Sequence, residues 1–207
     1  MKDSVVVIGA GGHAKVCVEI LHAMGRHVAF CVGQEKSPAC CAGVPVVEGD
    51  KHLLRLYDEG YVEVFVAIGS NGLRQKLAAM ALSFGYSLVS AVSPKACVSP
   101  SATLGRGIAI MAGACINAEA IIGDLAIINT GSTVDHDCVI GTAVHIAPQS
   151  GLAGNVKVGD RTFVGIGSCV IPEITIGSDV TLGAGSVVVR NLPAGVKALG
   201  VPVRIVT

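Results

Sequence analysis

The architecture of this chain is set by a stretch that begins VSPSATLGRGIAIMAGACINAEAIIG (residues 98–123). From Val98 to Val188, every sixth residue is Val, Ile or Leu, sixteen times in succession. A fixed hexapeptide period predicts a parallel β-helix, in which three hexads complete one triangular coil. Many of these aliphatic residues precede a small residue, as in Leu104-Gly105, so each hexad reads as a short strand and a corner. We therefore predict about five stacked coils with no long loop between them.

The composition of the 207-residue chain suits such a stack, because 51% of it is hydrophobic but only 3% is aromatic. The formal net charge is zero, which favours neither nucleic acid nor a membrane surface as a partner. No apolar run is long enough to span a bilayer, and the N-terminus lacks a signal-peptide pattern. The eight cysteines show no CxxC spacing and are interpreted as reduced thiols. These features together predict a cytoplasmic protein.

The first ninety residues follow a different pattern, in which short β-branched runs alternate with helical segments. This alternation predicts a small Rossmann-like parallel sheet, and hence an α/β domain over residues 1–92 followed by the solenoid over residues 93–207. Ligands of such sheets bind at the carboxyl ends of the strands, where Gly9–His13, Gly33–Glu35 and Gly69–Asn71 lie, so we predict one cleft there. The predicted strands cover residues 4–8, 28–32, 62–68 and 87–91, and the predicted helices cover about 14–24, 50–59 and 72–84.

The loop Gly9-Ala10-Gly11-Gly12-His13-Ala14 resembles a dinucleotide-binding fingerprint. However, the second strand ends in Gly33-Gln34, where an NAD site would carry an acid for the ribose. We therefore expect no NAD, and we expect the backbone N–H groups of this loop to approach a diphosphate. The alternative is a glycine turn that only packs the strand against the helix.

In the solenoid, His136 is the best candidate for chemistry, because it lies two residues after an inward aliphatic and is expected to face outward. Asp135 and Asp137 flank it, and either carboxylate can accept a hydrogen bond from Nδ1 and leave Nε2 as a base. One coil later, Gly154 is expected directly above the imidazole, where it leaves room and an N–H. The alternative is a surface histidine among turn acids.

The other polar residues of the solenoid do not form a recognisable metal site. His145 is expected to face outward, and Cys138 is expected to face the core. A hexapeptide-type zinc site uses three histidines and this solenoid has only two, so a third ligand would have to be a carboxylate or come from the other domain. We therefore predict no metal.

The chain resembles, over essentially its full length, the bacterial hexapeptide-repeat acyltransferases that N-acetylate nucleotide-linked 4-amino sugars of the bacillosamine and perosamine type. Related members of that group O-acetylate sialic acid. The resemblance lies in the motifs Ile8-Gly9-Ala10-Gly11-Gly12-His13-Ala14-Lys15, Val66-Ala67-Ile68-Gly69-Ser70-Asn71, Ile128-Asn129-Thr130-Gly131, Val134-Asp135-His136-Asp137-Cys138 and Gly200-Val201-Pro202.

The resemblance implies a left-handed β-helix, a homotrimer with active sites between subunits, and acetyl-CoA as the co-substrate. It implies that His136 is the general base, that Asp137 orients it, and that Asn129 lies beside the acceptor. Binding of acetyl-CoA is implied for His145, Gly154, Ile166 and Ala184. Binding of the nucleotide-sugar is implied for Gly11, Gly12, His13, Gln34, Gly69, Ser70 and Asn71.

The chemistry expected of these residues is direct attack of a sugar amine on the thioester after an imidazole removes its proton. A product of this kind would enter a bacterial surface glycan. The residues leave open whether the nucleotide is UDP, GDP or dTDP, and Glu35 is an alternative to Gln34 as its contact. Two other functions also stay open: O-acetylation of a sugar hydroxyl, and a non-catalytic trimer that binds a nucleotide-sugar.

Overall fold

The computed structural model describes residues 2–206, which form two compact units. The first unit ends at Pro94 and the second begins at Lys95. No helix among the described residues is long and apolar enough to cross a membrane.

The first unit is an α/β domain. Its elements are β1 (Lys2–Ile8), α1 (Gly12–Ala23), β2 (Val28–Gly33), β3 (Cys40–Cys41), β4 (Val44–Glu48), α2 (Lys51–Asp58), β5 (Tyr61–Val66), α3 (Asn71–Ser83), β6 (Ser87–Leu88) and β7 (Ala91–Val92). The first six strands form one sheet in the order β3-β4-β2-β1-β5-β6. All neighbouring strands of this sheet are parallel except the edge pair β3 and β4, which is antiparallel.

The parallel sheet is confirmed, but the sequence interpretation missed the hairpin of β3 and β4. Val44–Glu48 contains Pro45, and a proline within a short run argues against a strand by sequence alone. The structure accommodates Pro45 because β4 lies next to the edge, where β3 is its two-residue neighbour. The predicted last strand, residues 87–91, is instead split into β6 and the start of β7.

The core of this unit is built on β1, whose residues Val5, Val6, Val7 and Ile8 are almost fully buried. The strand then turns sharply at Gly9, which has a φ of +125°. A Cβ at Gly9 would lie 2.6 Å from the carbonyl oxygen of Ala67, so only glycine fits there. This close approach brings the loop after β1 next to the loop after β5.

The second unit is the predicted left-handed parallel β-helix, in which strands separated by 18 residues pair in register. Its short strands are β8 (Cys97–Val98), β9 (Thr103–Leu104), β10 (Ala109–Ile110), β11 (Cys115–Ile116), β12 (Ile121–Ile122), β13 (Ile127–Ile128), β14 (Thr133–Val134), β15 (Val139–Ile140), β16 (His145–Ile146), β17 (Gly151–Leu152), β18 (Lys157–Val158), β19 (Phe163–Val164), β20 (Cys169–Val170), β21 (Thr175–Ile176), β22 (Thr181–Leu182), β23 (Val187–Val188), β24 (Lys197–Leu199) and β25 (Arg204–Val206).

The sixth-residue aliphatic side chains fill the interior of the coils, and from Ile110 to Val188 all of them are buried. The first two are exceptions, because Val98 is half-buried and Leu104 is 37% exposed. Both belong to strands at the end of their sheets, so each has a stacked neighbour on one side only.

The corners of the solenoid repeat as regularly as its strands. Residues in the left-handed region recur at every sixth position from Gly107 to Gly185, and Asp137, with a φ of 59°, is one of them. At another corner, a Cβ on Gly123 would lie 2.7 Å from the backbone of Gly141 in the next coil. The repeated geometry therefore fixes where each corner side chain is placed.

Candidate active site

His136 lies at the corner that follows β14, and its side chain is 60% exposed. Its Nδ1 is 2.8 Å from Oδ2 of Asp137, the residue in the left-handed region. With Nδ1–H donating to this carboxylate, the neutral ring presents Nε2 as the proton acceptor. The structure thus distinguishes between the two flanking acids, because Asp137 and not Asp135 contacts the ring.

The electrostatics of this corner favour the protonated ring. The hydrogen bond with Asp137 is the main cause that raises the pKa of His136 above its ordinary value, and the charge of Asp135 adds to it. The pKa of Asp135 is lowered, chiefly by the hydrogen bond from the His136 backbone N–H. The imidazole is therefore a stronger base than a free histidine, with a fixed tautomer.

Gly154 lies over the face of this imidazole, as the 18-residue coil spacing predicts. A Cβ on Gly154 would lie 2.5 Å from Cε1 and 2.6 Å from Nε2 of His136. Since no side chain fits there without moving the ring, glycine is required for the observed imidazole position. The coil on this side also donates the Asn155 N–H to the His136 carbonyl oxygen at 2.9 Å.

A network of hydrogen bonds that sequence reasoning missed links the His136 corner to the preceding coil. Oδ1 of Asp135 accepts the His136 backbone N–H at 2.8 Å and the Nδ2–H of Asn117 at 2.8 Å. The thiol of Cys115 lies 3.6 Å from Oδ1 of Asn117 and donates a weak hydrogen bond to it. The signal was available, because Asn117 is 18 residues before Asp135 and so stacks directly beneath it.

His145 points out of the coil, as expected, since its strand neighbour Ile146 fills the interior, but its ring is buried, which the sequence did not indicate. It is only 9% exposed, and its ring packs edge-on against Phe163 of the next coil. Its Nε2 is 3.0 Å from Nδ2 of Asn129. Because Oδ1 of Asn129 accepts the Thr130 N–H at 2.8 Å, Nδ2 is the donor and His145 Nε2 is the acceptor.

Ile166 and Ala184 are stacked one coil apart and are both exposed. Ile166 is 51% exposed, and its carbonyl oxygen accepts the Gly185 N–H at 2.8 Å. The two residues form a small apolar strip on the solenoid surface. Cys138, by contrast, is fully buried, as predicted.

In the α/β unit, the carboxyl ends of the strands surround a cavity of about 270 Å³. Gly9–Gly11, Gln34 and Ile68 from three strand ends line it, so the predicted cleft exists. Asp50, Ser37 and Leu73 also line it, and sequence reasoning had not assigned them to the site.

Other residues predicted for this cleft lie nearby but do not line the cavity. Gly12 and His13 begin α1, and Gly69, Ser70 and Asn71 lead into α3. Within the described residues, a Cβ on Gly11 or Gly12 would have no contact closer than 4 Å. Packing of the described chain therefore gives no reason for glycine at these two exposed positions, whereas close approach of a ligand would.

A buried arginine holds the loop before α3. The Arg74 guanidinium donates to the carbonyl oxygens of Ile68 and Gly69 at 2.9 and 3.2 Å. It also donates to Oδ1 of Asn71 at 2.9 Å. Burial lowers the pKa of Arg74 to about 10, so it remains charged at neutral pH. This contact fixes the loop on one side of the cavity.

His13 has the opposite electrostatic environment to His136. Burial, together with the charge of Arg74, lowers the pKa of His13 to about 4. It is therefore neutral at neutral pH, and its Nε2 lies 3.6 Å from the thiol of Cys17. All eight cysteines are free in the described structure, and no group of three or more potential metal ligands occurs within residues 2–206.

Two protein families match separate parts of the chain. The PglD N-terminal domain family matches residues 4–81, and the bacterial transferase hexapeptide (six repeats) family matches residues 155–190. A comparison with curated proteins found no match.

Among solved structures, PerB from Caulobacter crescentus, in complex with CoA and GDP-perosamine, is 55% identical, with a TM-score of 0.95. The match covers 99% of this chain and 97% of that one. This chain belongs to the bacterial N-acetyltransferases of nucleotide-linked amino sugars. The acetyltransferase domain of PglB from Neisseria gonorrhoeae, in complex with acetyl coenzyme A, is 36% identical over 100% of both chains, with a TM-score of 0.93.

As a member of these N-acetyltransferases, the chain needs a base for an amine and a surface for acetyl-CoA. The solenoid supplies an oriented imidazole at His136, a glycine above it and an exposed apolar strip at Ile166. Variants of the Caulobacter crescentus perosamine N-acetyltransferase with one histidine replaced by asparagine or alanine have structures with CoA and GDP-perosamine.

Proposed function

We propose that this acetyltransferase transfers the acetyl group of acetyl-CoA to the 4-amino group of a GDP-linked 4-amino-4,6-dideoxy sugar, with His136 as the general base. The observation that carries this proposal is the His136–Asp137 pair beneath Gly154. The choice of GDP rests on the match to the Caulobacter crescentus enzyme that binds GDP-perosamine. The product is consumed in assembly of a bacterial surface glycan.

The first role of His136 is to take a proton from the sugar nitrogen, which cannot attack while it is an ammonium ion. Nε2 accepts this proton, and the resulting imidazolium is stabilised by Asp137 across the 2.8 Å contact to Nδ1. The nitrogen lone pair then forms the C–N bond with the thioester carbonyl carbon. No enzyme nucleophile is required, which agrees with the buried position of Cys138.

The tetrahedral intermediate carries its negative charge on the former carbonyl oxygen. We assign the backbone N–H of Gly154 to stabilise this oxyanion, because Gly154 adjoins His136 and has no side chain to exclude the substrate. The nitrogen of this intermediate is still positively charged, and it loses its second proton to solvent. The C–S bond then breaks, and the thiolate of CoA leaves and takes the proton from the His136 imidazolium. His136 ends the cycle as a neutral imidazole, ready to act again.

Asn129 and His145 are proposed to act as a unit in binding the two substrates. The amide donates to His145 Nε2, so the buried ring is held as the Nδ1–H tautomer. We assign Asn129 to the sugar acceptor and His145 to the acetyl-CoA side. Ile166 and Ala184 contribute the apolar surface along which the cofactor lies.

The cavity of the α/β unit is assigned to the nucleotide. Its volume of about 270 Å³ is slightly below the range of about 300–1,000 Å³ for whole ligand pockets, so it suits a nucleoside better than a complete nucleotide-sugar. Gly11, Gly12 and His13 are assigned to the diphosphate through backbone N–H groups and a neutral imidazole. Gln34, Gly69, Ser70 and Asn71 complete the nucleotide contacts.

The functional assembly is proposed to be a homotrimer in the cytoplasm. Exposed aliphatic side chains such as Ile121 and Val139, 47% and 38% exposed, line the outer face of one solenoid sheet and offer an apolar surface to a second copy. The cytoplasm is proposed because acetyl-CoA and nucleotide-sugars are both available there.

The test is to incubate the purified protein with acetyl-CoA and a panel of GDP-, UDP- and dTDP-linked 4-amino-6-deoxy sugars and to analyse the products by mass spectrometry. We expect one added acetyl group on a GDP-linked amino sugar. Matched sugars with a 4-hydroxyl group test the O-acetyltransferase alternative in the same assay. Binding of the nucleotide-sugar without acetylation of any sugar would overturn the proposal and support a non-catalytic binding protein.

A further inference from the structure

Asp50 is an exposed carboxylate on the wall of the α/β cavity, and the fold does not explain its presence there. It immediately precedes α2, a position where aspartate commonly caps a helix. Its side chain makes no capping hydrogen bond to the described backbone of that helix, although its carbonyl oxygen accepts the Leu53 N–H at 3.0 Å. The carboxylate therefore remains available to a molecule in the cavity.

The order of strands places Asp50 at a defined distance from the glycine loop. The loop Gly9–Gly11 follows β1, Gln34 follows β2, and Asp50 follows β4, and these three strands are consecutive neighbours in the sheet. Because adjacent strands are about 4.8 Å apart, Asp50 lies on the order of 10 Å from the glycine loop along the sheet edge. A diphosphate at the loop therefore places the ribose near Gln34 and the base near Asp50.

The cavity walls suit the faces of a flat ring. Val32, Ile68 and Leu73 line the cavity together with Asp50. A base held against these aliphatic side chains meets three polar side chains of the lining, Gln34, Ser37 and Asp50. Asp50 is the only carboxylate among them, so it discriminates most strongly between donor and acceptor groups on the edge of a base.

An ionised carboxylate only accepts hydrogen bonds, and it accepts two at once from a pair of adjacent donors. Guanine has such a pair in N1–H and the 2-amino group. Uracil and thymine instead present a single N–H between two carbonyl oxygens, which a carboxylate repels. Hypoxanthine keeps N1–H but lacks the 2-amino group.

We propose that Asp50 is the residue that selects guanine, by accepting hydrogen bonds from N1–H and the 2-amino group of the base. This inference rests on the proposed function for the presence of a nucleotide in the cavity. It adds the residue and the contact by which a guanine nucleotide is distinguished from UDP and dTDP.

The test measures dissociation constants for GDP, IDP and UDP by calorimetry on the full-length protein, in the wild type and in Asp50→Asn. A hydrogen bond to a charged group changes affinity by about 10- to 100-fold, so we expect the wild type to bind GDP at least about tenfold more tightly than IDP. In Asp50→Asn this preference should fall to within about twofold, and UDP should gain relative to GDP. Glu48→Gln, which removes a nearby exposed carboxylate outside the cavity lining, should retain the preference.

Several outcomes would overturn the inference. They are equal affinity of the wild type for GDP and UDP, an unchanged GDP-to-IDP preference in Asp50→Asn, and the same loss in Glu48→Gln. Equal weakening of all three nucleotides in Asp50→Asn would instead place Asp50 against the ribose. A second variant, Asp50→Glu, keeps the carboxylate and should retain part of the preference for GDP over IDP.

The outcome is separable from that of the proposed function, because nucleotide binding needs no acetyl-CoA. Asp50-dependent selection of GDP without acetylation of any sugar would refute only the proposed reaction. Acetylation with unaltered nucleotide selection in Asp50→Asn would refute only the role of Asp50.

Discussion

The solenoid and the α/β unit form their sites in different ways. In the solenoid, the repeat fixes each corner, and the exposed side chain of His136 is held by a hydrogen bond with Asp137 of the same corner. Asn117 of the preceding coil holds the neighbouring Asp135. In the α/β unit, three strand ends and the loops after them enclose a volume, and no single residue defines the site. The comparison shows that a rigid repeat suits the placement of one reactive group, whereas a parallel sheet suits the enclosure of a ligand.

The two units also shift the pKa of a histidine in opposite directions. The hydrogen bond with Asp137 raises the pKa of His136, while burial beside Arg74 lowers the pKa of His13 to about 4. The first histidine is suited to accept a proton, and the second to remain neutral next to a ligand. Substitutions in each unit test whether the solenoid carries the proton transfer and the α/β unit carries ligand binding.

The largest effect is expected for His136→Ala. Loss of a general base typically costs about 10²–10⁴-fold in rate, so kcat should fall by that factor while CoA binding is unchanged. Initial rates of acetyl-sugar formation and calorimetry with CoA measure the two effects. The control is His22→Ala, an exposed histidine of α1. A variant of His136 with a near-normal rate would remove His136 from the mechanism.

A large effect is also expected for Gly154→Ala, because the new Cβ would lie 2.5 Å from Cε1 of His136 and displace the ring. We expect kcat to fall by about 10²-fold, since a displacement of about 1 Å can have that cost. Gly151→Ala is the matched control in the same coil, where the Cβ would meet only the Thr133 hydroxyl at 3.3 Å. Equal rates for both variants would contradict the assigned position of the imidazole.

A smaller effect is expected for Asn117→Ala, which leaves Asp135 without its 2.8 Å partner from the preceding coil. Asn117 is a positioning residue, so we expect kcat to fall by about tenfold with an unchanged KM for acetyl-CoA. Asp160→Ala breaks a comparable contact between coils, the 2.7 Å bond from the Thr142 N–H, away from His136. A similar loss in both variants would indicate general damage to the solenoid.

The smallest effect concerns the stability of the α/β unit in acid. The pKa of His13 is lower in the folded state, about 4, than the ordinary value of 6.5, so the unfolded chain binds a proton first as the pH falls. Its contribution to stability is therefore present above about pH 6.5 and is lost towards about pH 4. His13→Gln should show a smaller fall in melting temperature between about pH 7.5 and about pH 5 than the wild type. An identical fall would contradict the buried, neutral state of His13.

The periodic part of the fold was predictable because its signal is repeated many times. Ile110 and its successors fix the coil register, and that register correctly placed Gly154 over His136. The strand β4 was missed, since Pro45 weakens a single short run that has no repeat to support it. The burial of His145 was missed as well, because it depends on the ring of Phe163 one coil later.

The site residues of the α/β unit were harder to predict for the same reason. The glycine loop was visible as a motif, but Asp50 lines the cavity only because β4 is placed beside β2. Asn117 could have been found from the 18-residue spacing, which links it to Asp135. The pairing of strands that are far apart in the sequence, such as β4 with β2, leaves no periodic pattern and could not be predicted from the sequence.

The most direct test of the central claim, that Asp137 prepares His136 as the base, is the pH dependence of kcat/KM in the wild type and Asp137→Asn. Because the hydrogen bond with Asp137 raises the pKa of His136, activity should be lost below a pH that lies above the usual value for histidine, about 6.5. In Asp137→Asn this acidic limb should move to lower pH, and the plateau rate should fall. An acidic limb at the same pH in both proteins would contradict the account.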